Sequence, residues 1–383
     1  MSAEISTPGT QALLAATERH ANARALLTSA LKTGDASHAY LFHGPRGVGK
    51  ADAARAFAAA LIAEGARDEA ASFGRVMRGS HPDLTWVTPS GAHEMLLADI
   101  AEPVVRGATR TPMESTKRVF VIERVETMSD AVANSMLKTL EEPAGYVHFV
   151  LLTAQPERVL ATIASRCQSV RFDAVPVSAI TQTLTTEGID SDRAASCAAL
   201  SGGDVALARE LAGADGDAMR SEAGRIVGCA LSGISGSKRP WEAVLTRAQS
   251  AGESEEQRTL DRLAADLEAF PKGREKSAAQ KEGEQAAHRI ARRVRSDSLD
   301  KSLRICSLLL RDIAAAAGGA PDLIMARDRA PSIVKSAEGR TLGPLIAAAE
   351  ETEATRRQLR RNVAEELTLQ ALSFRLDRLL AGV

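Results

Sequence analysis

Aromatic side chains make up only 3% of this 383-residue chain, so its core must be built from aliphatic and small residues. The apolar fraction is 44%, much of it alanine, which suits a mostly helical protein with small-residue packing. Neither sign of charge is in excess, with 48 basic against 49 acidic side chains. That balance argues against a chain that holds nucleic acid by itself through bulk phosphate attraction. Cysteine is scarce and scattered: Cys167, Cys197, Cys229 and Cys306 make none of the close pairs that zinc sites use, so reduced thiols and no zinc are expected. No run approaches the ~20 apolar residues of a membrane span. Met1 to Thr10 lacks a basic patch followed by an apolar core, so no signal peptide is expected, and the default reading is a cytoplasmic protein with no membrane partner. At this length two or three domains are the natural expectation.

Hydrophobic patterning divides the chain. Residues 11 to 33 read as a helix, and His38-Ala39-Tyr40-Leu41-Phe42-His43 then reads as a short buried strand entering the glycine loop Gly44-Pro45-Arg46-Gly47-Val48-Gly49-Lys50. Asp52 to Ala63 follows as a helix. Further strands are expected at Leu84-Thr85-Trp86-Val87, Val119 to Ile122 and Phe149 to Leu152, separated by helical patterns such as Met128, Val132, Met136 and Leu140. Strand and helix in alternation predict an α/β domain whose parallel sheet is covered on both faces. After Val170-Arg171-Phe172 the strand signal stops, and Pro176 marks a boundary. Residues 177 to 213 read as a small helical unit broken at Gly202-Gly203, and the chain from Asp217 reads as helical, with breaks at 232 to 237 and at Pro271-Lys272-Gly273. The last helix carries Val363, Leu367, Leu372, Leu376, Leu379 and Leu380, a stripe that must bury itself. Between Lys272 and Arg304 there are ten basic and five acidic side chains, which make either a solvated helix face or a contact for phosphate or an acidic partner.

Strand, glycine loop and helix are the context of a phosphate-binding loop, in which backbone N–H groups and the helix N-terminus face an anion. Gly44, Gly47, Gly49 and Lys50 supply that framework. Two positions that hydrolysis requires are missing. Ala51 stands where a hydroxyl would ligate Mg²⁺, and in Val119-Phe120-Val121-Ile122-Glu123-Arg124-Val125-Glu126 a Glu replaces the metal-holding Asp, with Arg124 where a water-polarising carboxylate would follow. The loop either holds ATP weakly without hydrolysis or is an inherited, empty one. Asp52 is no substitute, because a carboxylate beside phosphates repels them. Glu123 could reach a metal or simply end a strand facing solvent, and Glu126 could be a displaced base. Arg166, in Ser165-Arg166-Cys167, ends a helical stretch that begins near Pro156. It could cap that helix, or point into the active site of an adjacent subunit to stabilise charge on a transferring phosphoryl group. Composition does not choose between these.

The set His38-Ala39-Tyr40-Leu41-Phe42, Gly44 to Lys50, His81-Pro82-Asp83, Ala133-Asn134-Ser135-Met136-Leu137-Lys138-Thr139-Leu140-Glu141-Glu142-Pro143 and Ser165-Arg166-Cys167 resembles bacterial DNA polymerase III clamp-loader subunits, AAA+ proteins of the tau/gamma and delta-prime kind. The resemblance implies an AAA+ phosphate-loop domain over 1–174, a small helical lid over 175–215 and an all-α collar for oligomerisation over 216–383. The losses at Ala51 and Glu123, with Ala206 in Gly203-Asp204-Val205-Ala206 where the motor subunits carry an arginine, resemble delta-prime. By that resemblance the chain is a stator without its own hydrolysis and with no required cofactor. It would supply Arg166 in trans to a tau/gamma motor, assemble with tau/gamma and delta, and act through the complex on the sliding clamp and primed DNA, with collar stripes such as the one ending at Leu380 buried in the ring. The four-cysteine zinc module usual in the family is absent from residues 64 to 80, and extra collar length is expected between about 250 and 300. Two rivals are a tau/gamma-like ATPase using Glu123 and Glu126, and a non-replicative AAA+ interaction protein in recombination or repair.

Overall fold

Five parallel strands form, the first four on largely apolar runs and the last a polar edge strand with Val170 buried: β1 (Ala39–His43), β2 (Leu84–Val87), β3 (Arg118–Ile122), β4 (Val147–Thr153) and β5 (Gln168–Arg171). Their order across the sheet is β2-β3-β4-β1-β5. Leu41 lies opposite Leu151, and Val121 opposite Val150. The central strands are buried on both faces, every residue of β4 included, which is why they read as continuous apolar runs and not as alternation. The helices of this half are α1 (Pro8–Ala16), α2 (Ala21–Thr33), α3 (Lys50–Ala63), α4 (Glu69–Arg78), α5 (Leu97–Ile100), α6 (Asp130–Glu141) and α7 (Ala161–Ala164). One layer of core joins Tyr40, Phe42, Phe57, Leu61 and Phe172, and the other joins Leu41, Phe120, Phe149, Met136 and Leu140. The computed structural model describes residues 7–91, 94–268, 274–359 and 363–381.

The chain separates into two units, Met1–Val175 and Pro176–Val383. The second is all helical over its described residues: α8 (Val177–Thr186), α9 (Ser191–Ser201), α10 (Val205–Ala212), α11 (Ala214–Leu231), α12 (Ser235–Lys238), α13 (Trp241–Glu268), α14 (Arg274–Ala317), α15 (Ala330–Ala337), α16 (Leu342–Leu359) and α17 (Glu365–Leu380). This agrees with the fold class expected in its architecture: a parallel α/β domain with a glycine loop, followed by a substantial helical region. None of the described helices is long and apolar enough to cross a membrane.

Several expectations need correction. The helix read over 11 to 33 is two helices, because His20 leaves the helical path, φ −129° and ψ 74°, to bond the Val48 carbonyl. The stretch from Pro156 breaks into a single tight turn at 156–158 and then α7. The apolar stripe of α17 runs through Leu369, Leu372, Leu376 and Leu380, while Leu367 is 66% exposed. A step of two residues turns a helix by about 200°, so Leu367 and Leu369 cannot share a face. The stripe is covered within its own unit by α11 and α16, so it is not free to form a ring contact. The break at Pro271-Lys272-Gly273 lies outside the described residues.

Most of the basic stretch lies on α14, which pairs antiparallel with α13. A Cβ on Gly252 would approach the Ala291 carbonyl to 2.9 Å, and Glu256 and His288 are 2.7 Å apart. Of the basic residues in this stretch, Arg295 pairs with Glu365 of α17 and Lys301 with Glu210 of α10.

Candidate functional site

Parallel topology puts the glycine loop at the carboxyl edge of the sheet, between β1 and α3. Gly44 has φ 142°, and a Cβ there would lie 2.0 Å from the Phe172 carbonyl oxygen, so only glycine fits. Gly47 and Gly49 also have positive φ, 66° and 95°, the latter as the residue that opens α3. Lys50 is buried and curls over the loop, its ammonium donating to the Gly44 carbonyl at 2.7 Å and to the Pro45 carbonyl. From the other side, the His20 ring donates from Nε2 to the Val48 carbonyl at 2.7 Å and stands edge-on to Phe172. Burial first, then the charges of Arg171 and Lys50, hold His43 below its ordinary pKa, so it is neutral near pH 7. The loop thus has the form of a phosphate cradle. Ala51, the first residue after Lys50, brings a methyl group where a metal ligand would be.

Glu123 neither faces open solvent nor points free toward a metal. Its carboxylate accepts the Trp86 indole N–H at 2.7 Å, and the Arg55 guanidinium lies 4.2 Å over the same ring. Arg124 adopts the left-handed backbone, φ 55°. Glu126 is buried with no hydrogen-bond partner recorded for Oε2. Among the described residues no group of three or more His, Cys, Asp or Glu is placed to hold a metal ion.

Arg166 follows α7 on the exposed surface of the first unit. Its Nη1 donates to the Thr162 carbonyl at 2.8 Å, and its Nη2 to the carboxylate of Glu141, the last residue of α6. Two of the sequence motifs are therefore joined by one ion pair. Helix capping, one of the two roles open from sequence, is realised, and the guanidinium still keeps N–H groups and a third of its surface for another partner. The adjacent Cys167 thiol is pushed up to about 12 by burial, so it is no nucleophile. In the second unit Ala206 is exposed on α10, behind the capping carboxylate of Asp204.

His81-Pro82-Asp83 is a clamp on the opposite edge of the sheet. Asp83 is fully buried and accepts the backbone N–H groups of Met113, Glu114 and Ser115 at 2.6, 2.9 and 2.9 Å. The His81 ring bonds Ser72 at 2.9 Å and accepts from the Asp83 N–H at 3.1 Å. Asp83→Ala strips three donors of one acceptor and should lower stability by roughly 3 kcal/mol. Urea unfolding followed by circular dichroism would check this, with an unchanged midpoint as the contrary result.

A parallel five-stranded sheet with a glycine loop between β1 and α3 defines a phosphate-loop domain. Residues 19–176 match the family described as DNA polymerase III, delta subunit. Among curated relatives, the delta′ subunit of DNA polymerase III from Bacillus subtilis is 37% identical over 43% of this chain and 50% of its own length. The delta′ subunit of Pseudomonas aeruginosa is 36% identical over 34% and 42%, and the tau subunit of Bacillus subtilis 36% over 40% and 28%. The chain thus spans half or less of the length of these relatives. Through this segment the chain is similar to DNA polymerase III clamp-loader subunits, delta′ among them.

Proposed function

We propose that the protein is a delta-prime-like stator: a cytoplasmic clamp-loader subunit that does not hydrolyse ATP itself and lends Arg166 to a neighbouring tau/gamma motor. The observation that carries this reading is the contrast between two places in one unit. At home the loop lacks a hydroxyl at Ala51, Lys50 is turned onto loop carbonyls, and Glu123 is committed to Trp86. On the flank, a guanidinium is exposed and held by its own unit.

In this role the glycine loop keeps the fold of the edge and needs no cofactor. Arg166 would stabilise charge developing on the γ-phosphoryl group bound by the motor. The helical unit would join tau/gamma and delta subunits, so that ATP-driven movement of the assembly opens the sliding clamp at primed DNA.

The purified chain is expected to show no magnesium-dependent ATP turnover above background, and to raise the DNA-stimulated turnover of a tau/gamma-containing complex when added to it. Phosphate-release assays on the chain, the motor and the mixture measure both. Brisk turnover by the lone chain, abolished by Lys50→Ala, would instead establish the rival ATPase reading.

A further inference from the structure

We infer that Glu141 is a positioning residue for Arg166, fixing the guanidinium in the pose from which it reaches a neighbour's phosphates; this rests on the stator reading above. An arginine on a surface carries about 2 kcal/mol of rotamer entropy and samples many directions. Arg166 does not: Nη1 is fixed by the Thr162 carbonyl and Nη2 by Glu141. These two bonds use separate amino groups and leave N–H groups on the same planar fork for a phosphoryl oxygen.

Glu141 has no local reason to be where it is. It is the last residue of α6, followed by Glu142 and Pro143, and carboxylates at a helix C-terminus face the negative end of the dipole, an unfavourable placement of about 0.3–1 kcal/mol. Nor is the pair a strong staple for the fold. Both side chains are partly exposed, 32% for Arg166 and 47% for Glu141, and ion pairs of that exposure contribute about 1 kcal/mol or less. A contact that does little for stability, sits against the dipole and restrains one functional cation is explained by what that cation must do. The same weakness lets a polyphosphate share or take over the guanidinium without a large barrier.

The test is a double-mutant cycle in the complete complex with tau/gamma and delta, reading kcat and KM for ATP separately, together with the melting temperature of the purified chain. A finger displaced by about 1 Å can lose up to ~10²-fold, so a loosened one is expected to lose about tenfold. Glu141→Ala should therefore lower kcat about tenfold with KM and Tm unchanged. Glu141→Gln, which keeps one acceptor oxygen, should fall between. In the Arg166→Ala background, Glu141→Ala should add no further loss.

If Arg166→Ala lowers kcat and Glu141→Ala does not, the positioning role is overturned while the finger stands. If Glu141→Ala costs as much with Arg166 absent as with it present, or lowers Tm in step with kcat, Glu141 is merely structural. If Arg166→Ala itself changes nothing, the stator reading falls.

Discussion

Arg166→Ala, built into a complex whose motor subunits are intact, is expected to cut ATP turnover at the site it serves by on the order of 10³-fold, about 4 kcal/mol of transition-state stabilisation. The size follows from where the charge acts. A guanidinium in water gains little from a phosphate, but between two subunits the same charge meets the developing negative charge at low dielectric and without reorganisation. Because Arg166 is partly exposed in its own unit and, among the described residues, bonds Thr162, Ser165 and Glu141, its removal should leave the chain folded and able to assemble. Pre-steady-state phosphate release, with assembly monitored by gel filtration, separates a loss of chemistry from a loss of binding. Arg166→Lys should recover only part of the rate, since an ammonium keeps the charge and loses the planar fork. An unchanged rate in Arg166→Ala would count against the whole functional proposal.

The largest expected effect on stability lies in the helical unit. Arg220, on α11, is 1% exposed and donates from Nη2 to both oxygens of Asp328 at 2.6 and 2.7 Å. The Asp328 N–H donates in turn to Ser196 of α9 at 3.0 Å, and Arg329 reaches back to Asp217 of α11 at 3.3 Å. Removing one member of a buried pair leaves the other uncompensated, so Arg220→Ala should destabilise this unit by about 3–5 kcal/mol. The accompanying pH dependence has a definite sign. Burial works to raise the pKa of Asp328, but its bonds to Arg220 and Ser196 and the charges of Arg220 and Arg329 outweigh that and leave it lowered. A carboxylate of lowered pKa contributes stability that is complete above its unfolded value, about 4, and is lost as the pH falls through the folded value below it. Wild type should thus lose more stability than Arg220→Ala as the pH falls from about 5 to 3, by no more than about 1.4 kcal/mol for each unit below about 4, which thermal melts across that range would show. Parallel melting curves for the two proteins would contradict the assignment.

What the sequence disclosed, it disclosed through local signals. The strands are legible because β3 and β4 are buried on both faces and carry the unbroken apolar runs Val119-Phe120-Val121-Ile122 and Phe149-Val150-Leu151-Leu152. The missing hydroxyl at Ala51 needed no structure at all. The misreadings share another cause: each was decided by a partner distant in the chain. Whether α1 and α2 are one helix turns on His20 bonding the Val48 carbonyl, 28 residues away. Glu123 looked like a free strand end because nothing near it in sequence announces Trp86, 37 residues back. Glu141 was visible only as part of a motif, and its bond to Arg166 spans 25 residues. In the α17 stripe Leu372, Leu376 and Leu380 face inward as expected, but Leu369 takes the place read for Leu367, because leucines are abundant there and packing decides which of them is buried.

The grip of His20 and Lys50 on the glycine loop has one more consequence. Each backbone carbonyl they hold is satisfied by the chain itself, without a bound anion. If the proposed stator role holds, such a corner would give the moving subunits a fixed surface against which to turn.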